Sequence, residues 1–170
     1  MSKTDPRRHR WPIFLTVVPL LAAADQITKA WIRTYPEGST IFQSGILRIV
    51  HIENSGAAFG IFQGYSTILM CIDFLALALI LAYIITLYKR YPLFRGWWGW
   101  LGISLIFAGT TGNLIDRLNP NIGGITDFLY ISIWPAFNVA DSCISIGVIL
   151  LAFALLFMPI KSEPQQGLPK

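Results

Sequence analysis

Asp127 and Asp141 are the residues whose type and setting first suggest chemistry. They lie in Ile125-Thr-Asp-Phe128 and Phe137-Asn-Val-Ala-Asp-Ser142, close together in a chain dominated by long apolar runs. A carboxylate near hydrocarbon costs free energy unless it is paired, solvated or neutralised. Two such acids at one membrane face can share a proton and activate water, the chemistry of an aspartic dyad. Neither has an adjacent cation in sequence. They are therefore the acids best placed to stay coupled to each other, one protonated and one ionised.

The other polar residues near the apolar runs sort differently. Asp25 and Lys29 are four apart, on one helical face, and are expected to form a structural ion pair. Asn113, Asp116 and Arg117 cluster at the end of an apolar run, where Arg117 is expected to neutralise Asp116 and leave it a positioning group. Asn138 and Asp141 have i, i+3 spacing, so the amide is expected to orient the carboxylate or a peptide carbonyl. Asp73 is an unpaired acid inside another run and competes with the dyad assignment.

The elements that must hold these residues follow from composition. The chain has 170 residues, 54% of them hydrophobic and 13% charged, with a mean hydropathy of +0.57. Soluble domains carry roughly a quarter charged residues, so a membrane fold is indicated. Runs long enough to cross a bilayer, about 20 residues each, are expected at about 12–32, 66–88, 97–115 and 137–158. Trp11, Trp31, Trp97, Trp98, Trp100 and Trp134 sit at their ends as interfacial aromatics. The fold class expected is membrane α: a four-transmembrane-helix bundle forming a single integral membrane domain over 1–170.

Charge sets the direction. Lys3, Arg7, Arg8 and Arg10, then Lys89, Arg90 and Arg95, then Lys161 and Lys170 flank the apolar runs. Basic loops stay in the cytoplasm, and an even number of spans puts all three clusters there, with 33–65 and 116–136 facing outward. The formal charge of +4 thus reflects orientation, and no nucleic-acid partner is expected because no binding motif accompanies it. An uncleaved first helix is expected, although Leu21-Ala-Ala-Ala24 has some character of a signal cleavage site. Residues 39–60 are rich in β-branched side chains with Ser44-Gly45 as a turn, and predict a small outer β-hairpin or curved sheet. The Ser104, Ala108, Gly112 stripe predicts close helix packing. Cys71 and Cys143 read as packing residues, and the chain's two histidines, His9 and His51, are too separated to suggest a metal pair.

Together these stretches resemble lipoprotein signal peptidase (signal peptidase II). Asp25-Gln-Ile-Thr-Lys29, Asn54-Ser-Gly-Ala-Ala-Phe59, Gly112-Asn-Leu-Ile-Asp-Arg117, Thr126-Asp-Phe128 and Phe137-Asn-Val-Ala-Asp-Ser142 occur in family order and cover about 22–145. The resemblance implies that Asp127 and Asp141 are catalytic. It also implies that Asn54, Gly56, Asn113, Arg117 and Asn138 serve the substrate site, with Asp25, Lys29 and Asp116 as supporting polar residues. The outer hairpin would be the family's β-cradle. The implied substrates are diacylglyceryl-modified prolipoproteins held in membrane lipid, cut just before the lipidated cysteine without metal or cofactor. The implied setting is a monomer in the bacterial inner membrane, with cytoplasmic termini and an extracytoplasmic site. A small four-span transporter or proton-conducting protein using the outer acids is the alternative. A presenilin-type protease would need a Gly-x-Gly-Asp motif, which the chain lacks.

Overall fold

A computed structural model describes residues 10–56, 64–88 and 96–157. Among them are four long helices and one small sheet. The first helix, α1 (Trp11–Ile32), opens with Pro12, whose fixed φ suits a first turn. The second, α2 (Ser66–Ala82), runs into a single π turn over Tyr83–Leu87, closed by the Tyr88 N–H donating to the Tyr83 carbonyl at 2.8 Å. That wider turn accompanies a change of burial. No residue of Ser66–Ala82 is buried, whereas Ile84 and Tyr88 enter the core. The third helix, α3 (Trp97–Leu118), and the fourth, α4 (Val139–Phe157), complete the set.

Among the described residues, three stretches, Trp11–Ile32, Ser66–Leu87 and Val139–Phe157, are long and apolar enough to cross a membrane. α3 has 22 residues but mixes Gly, Trp, Ser and Thr with its aliphatic side chains. Its position explains that composition. It contacts α1, α2 and α4, so its sides are covered by protein rather than by lipid. The glycines of α3 make the closest approaches. A Cβ on Gly102 would come within 2.9 Å of the Gly147 carbonyl, and one on Gly112 within 2.5 Å of Asp25 Oδ2. Ser104 and Ala108, from the expected small-residue stripe, are buried as well.

The molecule is apolar outside and polar at one end inside. Leu20, Ile27, Leu79, Ile149 and Leu156 are all more than half exposed. Inside, Phe14, Ile84, Tyr88, Trp100, Ile103 and Ala154 form an apolar cluster, and Trp100 Nε1 donates to the Tyr88 hydroxyl at 3.0 Å. Asp25, Lys29, Asn113, Asp116, Thr126, Asp127 and Asn138 are buried separately from that cluster. Water would not favour that apolar exterior; hydrocarbon does.

The sheet is antiparallel with order β1-β2-β3-β4: β1 (Thr40–Ser44), β2 (Leu47–Asn54), β3 (Ile125–Ile131) and β4 (Trp134–Phe137). The expected hairpin is its first half. The two-residue connection is Gly45-Ile46 rather than Ser44-Gly45, since Ser44 pairs with Leu47 and Gly45 takes the positive φ of +54°. The second half corrects the expectation of an outer loop over 116–136. β3 follows directly on the turn residues Gly123-Gly124, and β4 contains Pro135, which argues against a strand unless it lies at a sheet edge, as β4 does. Trp134, expected as a span flank, belongs to that edge strand. α3 also extends to Leu118, so Asp116 and Arg117 are helical residues, and the fourth helix starts after Phe137 rather than at it.

Candidate active site

β3 and β4 fold back on each other through Ser132-Ile133, with Leu129 opposite Phe137. The chain then passes through Asn138 into α4. That reversal brings Asp127, on β3, beside Asp141, in the first turn of α4. Asp127 is therefore a strand residue, held in register opposite Ile52 of β2.

Asn138 joins the two acids. Its Oδ1 accepts from the Asp141 N–H at 2.9 Å, while its own backbone N–H donates to Asp141 Oδ2 at 3.2 Å. This is a reciprocal helix cap, which satisfies an otherwise orphaned helix N–H and fixes the Asp141 side chain. The other end of the amide, Nδ2, donates to Asp127 Oδ1 at 2.8 Å. One fully buried side chain thus holds both carboxylates. The expectation that Asn138 orients Asp141 is met, and its bond to Asp127 is an addition.

Two further amides complete the frame. Asn54 Nδ2 donates to Asp127 Oδ2 at 3.0 Å, and Asn54 Oδ1 accepts from the Gly56 N–H at 3.0 Å, which fixes the amide's direction. Asn54 pairs with Ile125, two residues from Asp127, so the contact is a same-face diagonal across the sheet. Asn113 Nδ2 donates to Asp141 Oδ1 at 2.8 Å, and Asn113 Oδ1 accepts from Lys29 Nζ at 2.9 Å. The lysine therefore dictates which way the Asn113 amide points.

Behind this frame is a charged layer. Lys29 Nζ lies 2.8 Å from Asp25 Oδ2 and 3.1 Å from Asp116 Oδ2, with all three side chains buried. The expected Asp25–Lys29 pair is present and has a third member. Asp25 Oδ1 also accepts from the Ala140 N–H at 2.9 Å, which anchors the start of α4 to α1. Arg33 reaches the layer too. Its Nε donates to Thr126 Oγ1 at 2.7 Å, and its Nη2 makes a 2.7 Å ionic contact with Asp116 Oδ1 that lacks hydrogen-bond alignment. Gln26 Nε2 donates to the Gly112 carbonyl at 2.9 Å and to Asp116 Oδ1 at 3.1 Å.

The expected Asp116–Arg117 pair is a correction. Adjacent helical residues point about 100° apart and do not face each other. Asp116 turns inward to Lys29 and Arg33, whereas Arg117 turns to α2 and binds Asp73 Oδ2 through Nη1 at 2.6 Å. Asp73, expected to be unpaired, has its partner there.

Asp73, Arg117, Asn54, Gly56, Asn113, Asp127 and Asp141 line one cleft of about 580 Å³, with Ile125, Trp134, Phe137, Ile144 and Ile146 among its apolar walls. Burial pushes the Asp127 carboxyl up to about 7, and the nearby Asp141 charge adds to the rise. The bonds from Asn54 and Asn138, and the Lys29 charge, oppose it. Near neutrality this group is poised to hold or release a proton, beside a second carboxylate and facing space for a ligand. Asp25, Lys29 and Asp116 lie behind it as support, and Asn138 is enclosed between the acids.

Sequence patterns alone miss Arg33, Thr126 and Gln26 as parts of the site, and give no role to Asp73. Gln26 sits one residue from Asp25, and Arg33 is one turn past Lys29, so helical spacing is an available signal for Arg33. No local signal points Asp73 at Arg117.

A buried carboxylate cleft inside an apolar exterior defines a multi-pass membrane protein with an enzyme-like site. The family profile described as Signal peptidase (SPase) II matches residues 17–157. A lipoprotein signal peptidase of Dehalococcoides mccartyi strain BAV1 is 40% identical over 146 residues, covering 85% of this chain and 86% of the relative. That of Moorella thermoacetica is 37% identical over 145 residues, covering 84% and 92%. A bacterial membrane enzyme solved by the in meso method at 2.3 Å resolution superposes with a TM-score of 0.75 at 30% identity, covering 89% of this chain and 94% of its own. The chain belongs to the signal peptidase II family.

Proposed function

We propose that this protein is an intramembrane aspartic endopeptidase that removes the signal peptide from diacylglyceryl-modified prolipoproteins, cutting just before the lipidated cysteine. The observation that carries the reading is the Asn138 bridge: one buried amide binds Asp127 and caps Asp141, in a cleft where Asp127 titrates near neutrality. Family membership and the relatives' names support the substrate class.

In this mechanism an ionised aspartate takes a proton from water as the oxygen attacks the scissile carbonyl carbon. The other aspartate, protonated, donates to the developing oxyanion. Collapse of the tetrahedral species breaks the C–N bond, with a proton delivered to the leaving amine. Asn54, Asn113 and Asn138 hold the carboxylates in place, so little reorganisation is needed during reaction. Arg117 offers donors to the substrate backbone from the cleft wall, Gly56 lets that backbone approach closely because it carries no side chain, and Asp25, Lys29 and Asp116 support the frame. The substrate's acyl chains stay in the bilayer and hold the scissile bond at the depth of the dyad.

α3 serves as the fourth span, covered by its neighbours. The whole chain then forms one integral domain of the bacterial inner membrane and acts as a monomer. Both termini face the cytoplasm and the cleft opens at the outer face, a reading that the basic clusters support. The deciding experiment is cleavage of one purified prolipoprotein with and without its diacylglyceryl group. Loss of cleavage without the lipid is expected; equal rates would refute the lipid-positioned reading.

A further inference from the structure

Asp73 is the one charged residue between Ser66 and Tyr88 in the sequence. No residue of Ser66–Ala82 is fully buried, and Asp73, half-buried, lies on the side of α2 that meets α3. An acid in such a helix costs free energy on insertion and marks a functional partner. That partner is Arg117, at 2.6 Å, with the two side chains 9% and 16% exposed for Arg117 and Asp73 respectively. Both border the cleft that holds Asp127 and Asp141.

Arg117 has no competing claim from its neighbour, because Asp116 is already engaged by Lys29 and Arg33. Take away Asp73 and the cleft wall carries a guanidinium without its ion-pair partner. Guanidinium groups bind phosphate strongly and often with two parallel bonds. A membrane offers anionic phosphate headgroups in great excess over any substrate. With Asp73 in place the pair is neutral overall, yet the guanidinium keeps further N–H donors. Such donors suit uncharged acceptors, namely the peptide carbonyls and glyceryl ester carbonyls of a lipidated substrate.

Resting on the proposed peptidase reading, we infer that Asp73 is a specificity-determining residue: by neutralising Arg117 it keeps anionic phospholipid headgroups out of the cleft and leaves it open to uncharged carbonyl groups. Discrimination here is the removal of a competitor's attraction rather than an added contact to the substrate.

The test compares the full-length protein, Asp73→Asn, Asp73→Glu and Asp73→Asn/Arg117→Gln in phosphatidylcholine vesicles with and without phosphatidylglycerol. Each protein serves as its own reference. In Asp73→Asn, added phosphatidylglycerol should lower kcat/KM on the order of tenfold through KM, a 1.4 kcal/mol change. The unaltered protein and Asp73→Glu, which keeps the carboxylate, should change less than about twofold. The double variant should lose the lipid dependence. Phosphatidylglycerol retained through purification, read by native mass spectrometry, should rise in Asp73→Asn and fall again in the double variant. Asp73→Ser replaces Asp73→Asn where the latter does not accumulate, since either leaves Arg117 unpaired.

An Asp73→Asn lipid ratio equal to that of the unaltered protein would overturn the inference, as would a dependence that survives in the double variant. Should the unaltered protein cleave nothing in either membrane, the peptidase reading fails. Lipid retention still decides the role of Asp73 in that case.

Discussion

Two sets of acids lie side by side in this protein and are held in opposite ways. Asp25 and Asp116 are gripped by cations, Lys29 between them and Arg33 at the edge. Asp127 and Asp141 are gripped by neutral amides, from Asn54, Asn113 and Asn138. Cations balance charge and make a rigid joint between α1, α3 and the start of α4. Amides fix position without supplying charge, so a proton can still come and go. Lys29 connects the two sets, since it binds both acids of the first and the Asn113 amide that faces the second. The charged layer therefore aims the titrating one.

Removing a carboxylate from the amide-held set should have the largest effect. Asp127→Asn or Asp141→Asn is expected to lower cleavage by at least ~10³-fold while the protein still inserts and accumulates. Processing of diacylated substrate at the normal rate by either variant would dissolve the distinction between the sets.

Lys29→Met attacks the other side. It leaves two buried acids facing each other, and breaking a buried ionic network by deleting one partner costs about 3–5 kcal/mol. Thermal melting in detergent should show a large loss of Tm, with activity lost only as the fold is lost or Asn113 turns. An unchanged Tm would mean that the layer is not a joint.

Asn138→Ser separates the two jobs of one residue. Serine caps helices about as well as asparagine, so the start of α4 should hold, with a Tm loss of several degrees from the buried amide that is removed. The donor to Asp127 disappears, and loss of one hydrogen bond to a charged group is worth about 1.5–3 kcal/mol, or roughly 10–100-fold in rate. Full activity in this variant would remove the bridge from the mechanism.

The smallest effect is one of pH. Folding raises the Asp127 carboxyl from 3.8 to about 7. Between those values the folded protein keeps a proton that the unfolded chain has released. Its stabilising contribution is therefore full below the lower value and fades as pH rises toward the upper one. Asp127→Asn removes that slope, so its Tm relative to the unaltered protein should climb by a few degrees between about pH 4 and about pH 8. A flat difference would place the titrating proton elsewhere.

Much of this contrast is legible in the order of residues along the chain. The lack of a neighbouring cation separates Asp127 and Asp141 from Asp25, whose lysine is one helical turn away. Asn138 and Asp141 reveal themselves by similar helical spacing. Asp116 misleads because its nearest cation in sequence, Arg117, is a neighbour that helical geometry turns aside. β3 and β4 escape notice for another reason. β3 follows a turn-rich stretch, Asn119-Pro-Asn-Ile-Gly-Gly124, and precedes an edge strand with a proline, so the whole run between the helices reads as loop.

By itself the sequence determined three of the apolar spans, the first hairpin and the candidate dyad, all of which depend on composition or on spacing within a few residues. Tertiary structure alone decided the partners of Asp73, Arg33, Thr126 and Gln26, and the fold-back of β3 on β4 that brings the two aspartates to one amide. Those pairings join residues far apart along the chain. They depend on helix rotation and sheet register, which no local pattern encodes.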